Sequence, residues 1–268
     1  MKPIIIIPTG LGINSHEELA HAFRMAGALI EFVLLNDLIK NPKMMDDYWG
    51  LGFPGGFTMG DQLGAGQSVA NRIRGSDLRD KLEEKLNDPD FIVYAVCNSL
   101  QFLAKLDLMP VPVGTAPNDS GKHETGFWDL AVNPKNDSVW LRLLQSYTEE
   151  PIFAPISHGE GRVYIPPEHI QTVRDQNLIA LKYVGGHMHN LLRASRGDRY
   201  NPNGSVDDIA GLAWKSNLVL FPHFERLLFD YQRPDRHDVI NRKGTANNPY
   251  EPTHLMFKAA VEFLVKGQ

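Results

Sequence analysis

Cys97 is the only thiol in 268 residues, and it follows the apolar run 91–96 directly and precedes Asn98-Ser99-Leu100-Gln101-Phe102-Leu103. This pattern predicts a strand-to-helix junction. A sharp turn there lifts the side chain off the carboxyl edge of a sheet, while the N–H groups of the helix's first turn favour thiolate and can cradle an oxyanion. A small buried hydrophobe would suit the same position. A thiol nucleophile needs a base, and the base needs an orienting acceptor. His223 and Glu225 offer that pair: after the run 218–221, residues two apart on extended chain project to one side. Taken alone, His-x-Glu also describes a solvated loop. In Gly52-Phe53-Pro54-Gly55-Gly56-Phe57 the paired glycines let backbone approach a substrate and aim N–H groups at developing negative charge, although Pro-Gly-Gly is equally good turn chemistry.

Other candidates carry less. His187 and His189 could ligate a metal, but no third ligand follows at a recognisable spacing, so no metal is expected. The chain lacks the Gly-Lys-Ser/Thr ending of a phosphate-binding loop, so ATP chemistry is expected elsewhere. His158-Gly159-Glu160-Gly161 reads as a tight polar turn. From these residues the chain reads as a cysteine-nucleophile α/β enzyme.

Positioning such groups requires a scaffold. Residues 4–7 are a β-branched apolar run suited to a central parallel strand, ended by Pro8, Gly10 and Gly12. Ser15 with Glu18 predicts a capping box opening a helix through Leu19, Ala22, Phe23 and Ala26 to Gly27. Apolar runs at 30–35, 48–53, 91–96, 178–184 and 218–221 alternate with helix-like stretches at 67–74, 78–86, 100–106 and 139–144. That alternation argues for an α/β fold with an open, mostly parallel sheet flanked by helices. Short strand-like pieces at 127–132, 152–156 and 162–165 predict a small antiparallel addition to the main sheet. No repeat or Gly/Ser linker divides the chain, so one domain over 1–268 is expected, with a core at 1–228 and a C-terminal extension at 229–268. Within the extension the polar stretch 231–250 reads as a long surface loop, and helix resumes after Thr253 with Met256, Ala260, Phe263 and Leu264 on one face.

Composition sets the boundaries. Hydrophobic residues make up 43% and charged residues 22%, so the chain should fold rather than remain disordered. A formal net charge of -5 supplies no field for nucleic acid or an anionic bilayer. A lone Cys fits a reducing compartment, and the 4–7 run is far shorter than the ~20 residues of a membrane span, so a cytoplasmic protein is expected. The sequons at Asn118, Asn136 and Asn203 are expected to be ordinary loops.

Four blocks stand in order: Gly52 to Phe57 with Gly60-Asp61; Cys97-Asn98-Ser99-Leu100-Gln101; Ser157-His158-Gly159-Glu160-Gly161-Arg162; and Asn201-Pro202-Asn203-Gly204-Ser205 ahead of Pro222-His223-Phe224-Glu225-Arg226. Together they resemble the glutaminase of phosphoribosylformylglycinamidine synthase, a class I glutamine amidotransferase, over roughly residues 3–228. The resemblance implies that Cys97 attacks the side-chain amide of L-glutamine, His223 acts as base and then acid, and Glu225 orients His223. It further implies an oxyanion hole from the N–H groups of Gly56 and Asn98, and glutamine binding by Gly55, Gln101, Asn203, Gly204 and Ser205. By the same resemblance ammonia passes to a synthetase subunit that holds the ATP and Mg, with a small accessory subunit as a further partner and no cofactor in this chain. The alternatives are a catalytically degenerate regulatory or scaffold subunit of this fold, or a stand-alone cysteine amide hydrolase. The sequence departs from the family pattern in Ala95 and Ser99, which stand where the elbow usually has Gly. Phe224 replaces Pro, and His123 to Phe127 falls where Phe-Glu-x-Arg is expected.

Overall fold

The computed structural model describes residues 1–145, 150–237 and 250–266. The apolar runs form β1 (Ile4–Thr9), β2 (Leu29–Leu34), β3 (Gly50–Phe53) and β4 (Ile92–Val96). Between them lie α1 (His16–Met25), α2 (Leu35–Lys40), α3 (Gln67–Arg74) and α4 (Leu78–Asn87), and α5 (Asn98–Lys105) follows β4. Next come β5 (Gly114–Ala116), β6 (Glu124–Val132), β7 (Ile152–His158), β8 (Arg162–Tyr164), α6 (Pro167–Asp175), β9 (Ile179–Tyr183) and α7 (His187–Arg196). The chain continues through β10 (Ile209–Trp214) and β11 (Asn217–Leu220) to α8 (His254–Lys266).

Nine strands share one sheet in the order β2-β1-β3-β4-β11-β10-β9-β6-β7. The first five are mutually parallel; β10, β9, β6 and β7 then pair antiparallel, each with its neighbour. A parallel strand covered on both faces reads as a continuous apolar run, as β1, β3, β4 and β11 do, whereas β2 at the edge is mostly exposed. Ile5, Ile7, Tyr94 and Val96 pack on one face with Phe23 of α1 and Phe257 of α8; Ile6, Leu51, Val93 and Ala95 pack on the other with Val69 of α3, Leu82 of α4 and Leu103 of α5. The first face centres on an aromatic cluster in which the Phe257 ring lies 5.1 Å from Tyr94 and 5.2 Å from Phe23. The helix of the C-terminal extension is thus part of the core.

Three expectations are corrected. Residues 139–144 form turns rather than a helix, although Trp140, Leu141 and Leu144 are buried: their spacing reports core contact, not helical backbone. The piece at 162–165 joins β5 in a separate two-stranded sheet, while the pieces that become β6 and β7 join the antiparallel end of the main sheet. Ser15 adopts a left-handed φ of 59° and makes no capping bond; its hydroxyl instead accepts the Gly55 N–H at 3.2 Å. The three sequon asparagines lie in loops as expected, with buried side chains; Asn118, for example, ties the 158–161 turn together through its amide. Most of the expected surface loop, 238–249, lies outside the described residues. Where the chain is described on either side, Arg233 pairs with Asp235 and Glu251 and stacks over Phe153.

Candidate active site

The carboxyl ends of the parallel strands carry the chemistry, as open α/β sheets generally do. Cys97 sits between β4 and α5 with φ 56° and ψ -108°, a conformation costly for a non-glycine residue and held by the Cys97 N–H bond to the Leu220 carbonyl at 2.8 Å. The turn aims Sγ at the Ser157 carbonyl, 3.6 Å away. It also leaves the Asn98 N–H at the helix start, with no carbonyl a turn earlier to bond. Ala95 and Ser99 fit this elbow. Ala95 is a buried strand residue, and the Ser99 hydroxyl donates to the Pro54 carbonyl, joining the helix to the glycine loop.

His223 and Glu225 follow β11, parallel to and beside β4, so the sheet itself brings residues 97 and 223 together. The His223 Nδ1 lies 2.6 Å from Glu225 Oε1, and the imidazole's other contact is the Cys97 thiol. The Tyr94 hydroxyl, from the strand leading to the thiol, donates to Glu225 Oε2 at 3.0 Å. All three members are buried, with Cys97 6% exposed, His223 3% and Glu225 1%. Burial alone would push the His223 pKa down. The Glu225 carboxylate and the Cys97 contact outweigh it and raise the pKa to about 9. Burial likewise opposes charge on Glu225, but the imidazolium lowers its pKa overall. The arrangement is therefore an imidazolium braced by a carboxylate and set against the Cys97 thiol. Phe224 points into the core between these two residues, which frees His223 and Glu225 to face the site.

The glycine loop closes on this pair. A Cβ at Gly55 would stand 2.7 Å from His223 Cε1 and 3.3 Å from Cys97 Cβ, so only glycine fits without displacing the base. Its N–H is taken by Ser15. The neighbouring bonds Asn14 N–H to Gly55 O and Phe57 N–H to Gly12 O bracket Gly56 in a bridge opposite Ile13 and leave the Gly56 N–H outside that pairing. Gly56 has φ 141°, and a Cβ there would meet the Gly12 carbonyl at 2.4 Å.

The remaining candidates surround this centre in different states. Asn98 uses its side chain to accept the Thr58 N–H and to donate to Gln101 Oε1, and Gln101 Nε2 donates to the Glu160 carbonyl, so both amides brace loops. Ser205 is engaged with Val163, Gly161 and Asn203. Gly204, at φ 77°, donates its N–H to Asn201. Asn203 is buried with Oδ1 accepting from Ser205, and among the described residues its Nδ2 has no partner.

The β6–β7 hairpin forms the roof. Its pairing runs from Leu130↔Ile152 to Glu124↔His158, beyond the end of β9, and this brings the Pro155 carbonyl to the His223 N–H at 2.8 Å and Ser157 to the thiol. His158 ends that strand buried, with Nδ1 3.2 Å from Asn118 Oδ1; burial lowers its pKa to about 3, so it is neutral beside His223. His187 pairs with Asp235 at 2.7 Å, while the His189 N–H binds Asp129, so these two histidines serve separate contacts. Among the described residues no group of His, Cys, Asp and Glu is arranged to hold a metal.

Tyr94, Tyr183 and Ser15 are neighbours of the site to which pattern reading assigned no site role. A signal existed for the tyrosines, since a phenol in a central apolar strand needs a partner for its hydroxyl. Nothing local marks Ser15, whose contact lies 40 residues away.

Comparison with known proteins agrees with this geometry. The model of the CobB/CobQ-like glutamine amidotransferase domain matches residues 2–264. The phosphoribosylformylglycinamidine synthase subunit PurQ of Methanococcus maripaludis is 31% identical over 98% of each chain, and that of Dehalococcoides mccartyi is 32% identical over 83% of this chain and 85% of its own. The fold matches a chain in the structure of PurLQS from Thermotoga maritima with a TM-score of 0.66 at 22% identity, covering 100% of this chain and 99% of the other. This chain belongs to the CobB/CobQ-like glutamine amidotransferase family and, within it, to the PurQ subunits of phosphoribosylformylglycinamidine synthase.

Proposed function

We propose that the chain is the glutaminase subunit of phosphoribosylformylglycinamidine synthase: it hydrolyses L-glutamine to glutamate and passes ammonia to a synthetase subunit in purine biosynthesis. The observation that carries this reading is the buried Cys97–His223–Glu225 array at a left-handed elbow. The Cys97 thiolate attacks the γ-carbonyl carbon of glutamine. The Gly56 and Asn98 N–H groups stabilise the tetrahedral oxyanion, each worth on the order of 3 kcal/mol. The protonated His223 gives its proton to the leaving nitrogen, ammonia departs, and a γ-glutamyl thioester remains on Cys97. Water then attacks the thioester with His223 as base, releasing glutamate and restoring the thiol. Glu225, supported by Tyr94, keeps the imidazole oriented and favours its cationic form.

Gly55 serves by leaving space for His223, while Asn203, Gly204 and Ser205 form the loop that fixes glutamine, with Gln101 bracing the elbow. ATP and Mg act on the synthetase subunit, and a small accessory subunit completes the assembly; this chain holds no cofactor. Among the described residues no helix is long and apolar enough to cross a membrane, and the reading places the protein in the cytoplasm. The test is glutamate release from glutamine with and without the synthetase subunit, together with mass spectrometry of the enzyme. Wild type should release glutamate and carry a trapped γ-glutamyl adduct on Cys97. Undiminished turnover in Cys97→Ala would reject the mechanism.

A further inference from the structure

Tyr183 closes β9 at the carboxyl edge, wholly buried and within the same core cluster as Cys97. Sheet register carries it to the level of the elbow. Val96 lies opposite Leu220, Leu220 opposite Gly211, and Gly211 opposite Leu181; Tyr183 then comes just beyond Leu181, as Cys97 comes just beyond Val96. A buried hydroxyl normally finds a partner. Among the described residues neither the Tyr183 hydroxyl nor Nδ2 of Asn203 makes a well-formed hydrogen bond, and the two stand within reach of each other. Burial holds this phenol un-ionised, and the Asn203 amide beside it works the other way without reversing that.

Two polar groups at the thiol's end of the sheet, satisfied by nothing better than each other, leave a desolvation cost that a bound molecule would relieve. Both groups are neutral. Buried neutral donors and acceptors match an uncharged carboxamide, whereas the α-ammonium and α-carboxylate of an amino acid call for charged or solvated partners. Asn203 can only donate from Nδ2, because its Oδ1 is already bonded by Ser205. The Tyr183 oxygen can accept.

We propose that Tyr183 is a substrate-binding residue whose hydroxyl oxygen accepts an N–H of the glutamine γ-amide while Asn203 Nδ2 donates to the γ-carbonyl oxygen. Held by one N–H, the nitrogen can turn the lone pair it gains on becoming tetrahedral toward His223, the group that must protonate it before it leaves. The assignment rests on the glutaminase reading and adds to it the means by which an amide is told from an ester.

The test compares L-glutamine with L-glutamate γ-methyl ester, whose alkoxy group has no N–H to offer, using the full chain together with the synthetase subunit. Tyr183→Phe is expected to lower kcat/KM for glutamine about tenfold, to leave the ester within about twofold of wild type, and to unfold at a temperature no lower than wild type. Equal losses on both substrates, or no loss on glutamine, overturn the assignment. Asn203→Asp keeps an oxygen for Ser205 and is expected to weaken both substrates, since both present the carbonyl; if it spares both, the donor half of the assignment falls. If wild type cleaves neither substrate, or Cys97→Ala cleaves both, the glutaminase reading is overturned and this assignment with it.

Discussion

A methyl group at Gly55 would stand 2.7 Å from His223 Cε1, so the glycine loop and the base share one space. The second glycine of the loop is restricted by backbone on its other side, where a Cβ would meet the Gly12 carbonyl. Each glycine is therefore required by a different neighbour.

Gly55→Ala should displace the imidazole from the thiol. Glutaminase kcat is expected to fall at least about 100-fold, since misplacing a reacting group by about 1 Å costs that much. The fold should lose only about 1–3 kcal/mol, the usual cost of overpacking a tight site. Steady-state kinetics and thermal unfolding of the same preparation separate the two effects; parallel losses would refute the steric account.

Removing the Glu225 charge should move the pH dependence of activity. With His223 raised to about 9, wild type keeps its general acid up to that pH, so kcat/KM should decline on the alkaline side near 9. In Glu225→Gln the carboxylate no longer favours imidazolium, and the alkaline limb should shift to lower pH while kcat falls by about 100-fold or more. An unchanged limb in the variant would mean that another group titrates there.

Two histidines with opposite shifts should set a stability optimum near their ordinary pKa of 6.5. His223, raised to about 9, contributes stability that is complete below 6.5 and lost as pH climbs through 9. His158, lowered to about 3, resists protonation in the folded state, so stability falls as pH drops from 6.5 toward 3. Each limb has a limiting slope of about 1.4 kcal/mol per pH unit from one proton. Denaturant midpoints measured from pH 5 to 9.5 should peak near 6.5. His158→Asn should flatten the acid side and His223→Gln the alkaline side; a wild-type profile flat across this range would contradict both assignments.

Ser99→Ala should reveal what the hydroxyl does in a place where the family elbow usually has glycine. It leaves the Pro54 carbonyl without its donor, a loss of about 1–3 kcal/mol if no water replaces it. The Gly55–Gly56 loop should loosen, and kcat should drop several-fold with little change in the unfolding slope against denaturant. A variant as stable and as active as wild type would show the bond to be dispensable.

The apolar runs at 48–53, 91–96, 178–184 and 218–221 were legible because a buried strand repeats its chemistry over a few neighbouring residues; the run at 30–35 reads the same way although β2 lies at the sheet edge with only Val33 buried. The elbow at Cys97 was legible for the same reason, since strand, nucleophile and helix are contiguous. The turn at 139–144 misled because buried residues at three- and four-residue intervals imitate a helix when Trp140 and Leu144 are held by tertiary contacts. β10 escaped notice because Ile209 to Trp214 includes two alanines and a glycine, a weak apolar signal that becomes a strand only between β9 and β11.

Residue types and local order thus determined the α/β character, the position of the nucleophile and the pairing of His223 with Glu225, because each depends on contacts within a few residues. Only the tertiary structure decided that Tyr94 reaches Glu225 across 131 positions, that Ser15 holds Gly55, that the β6–β7 pair roofs the thiol, and that Tyr183 ends at the same edge of the sheet. Those relations follow from strand order and register. These are set by the total free energy of burying both faces of the sheet, and no short window of sequence contains that quantity.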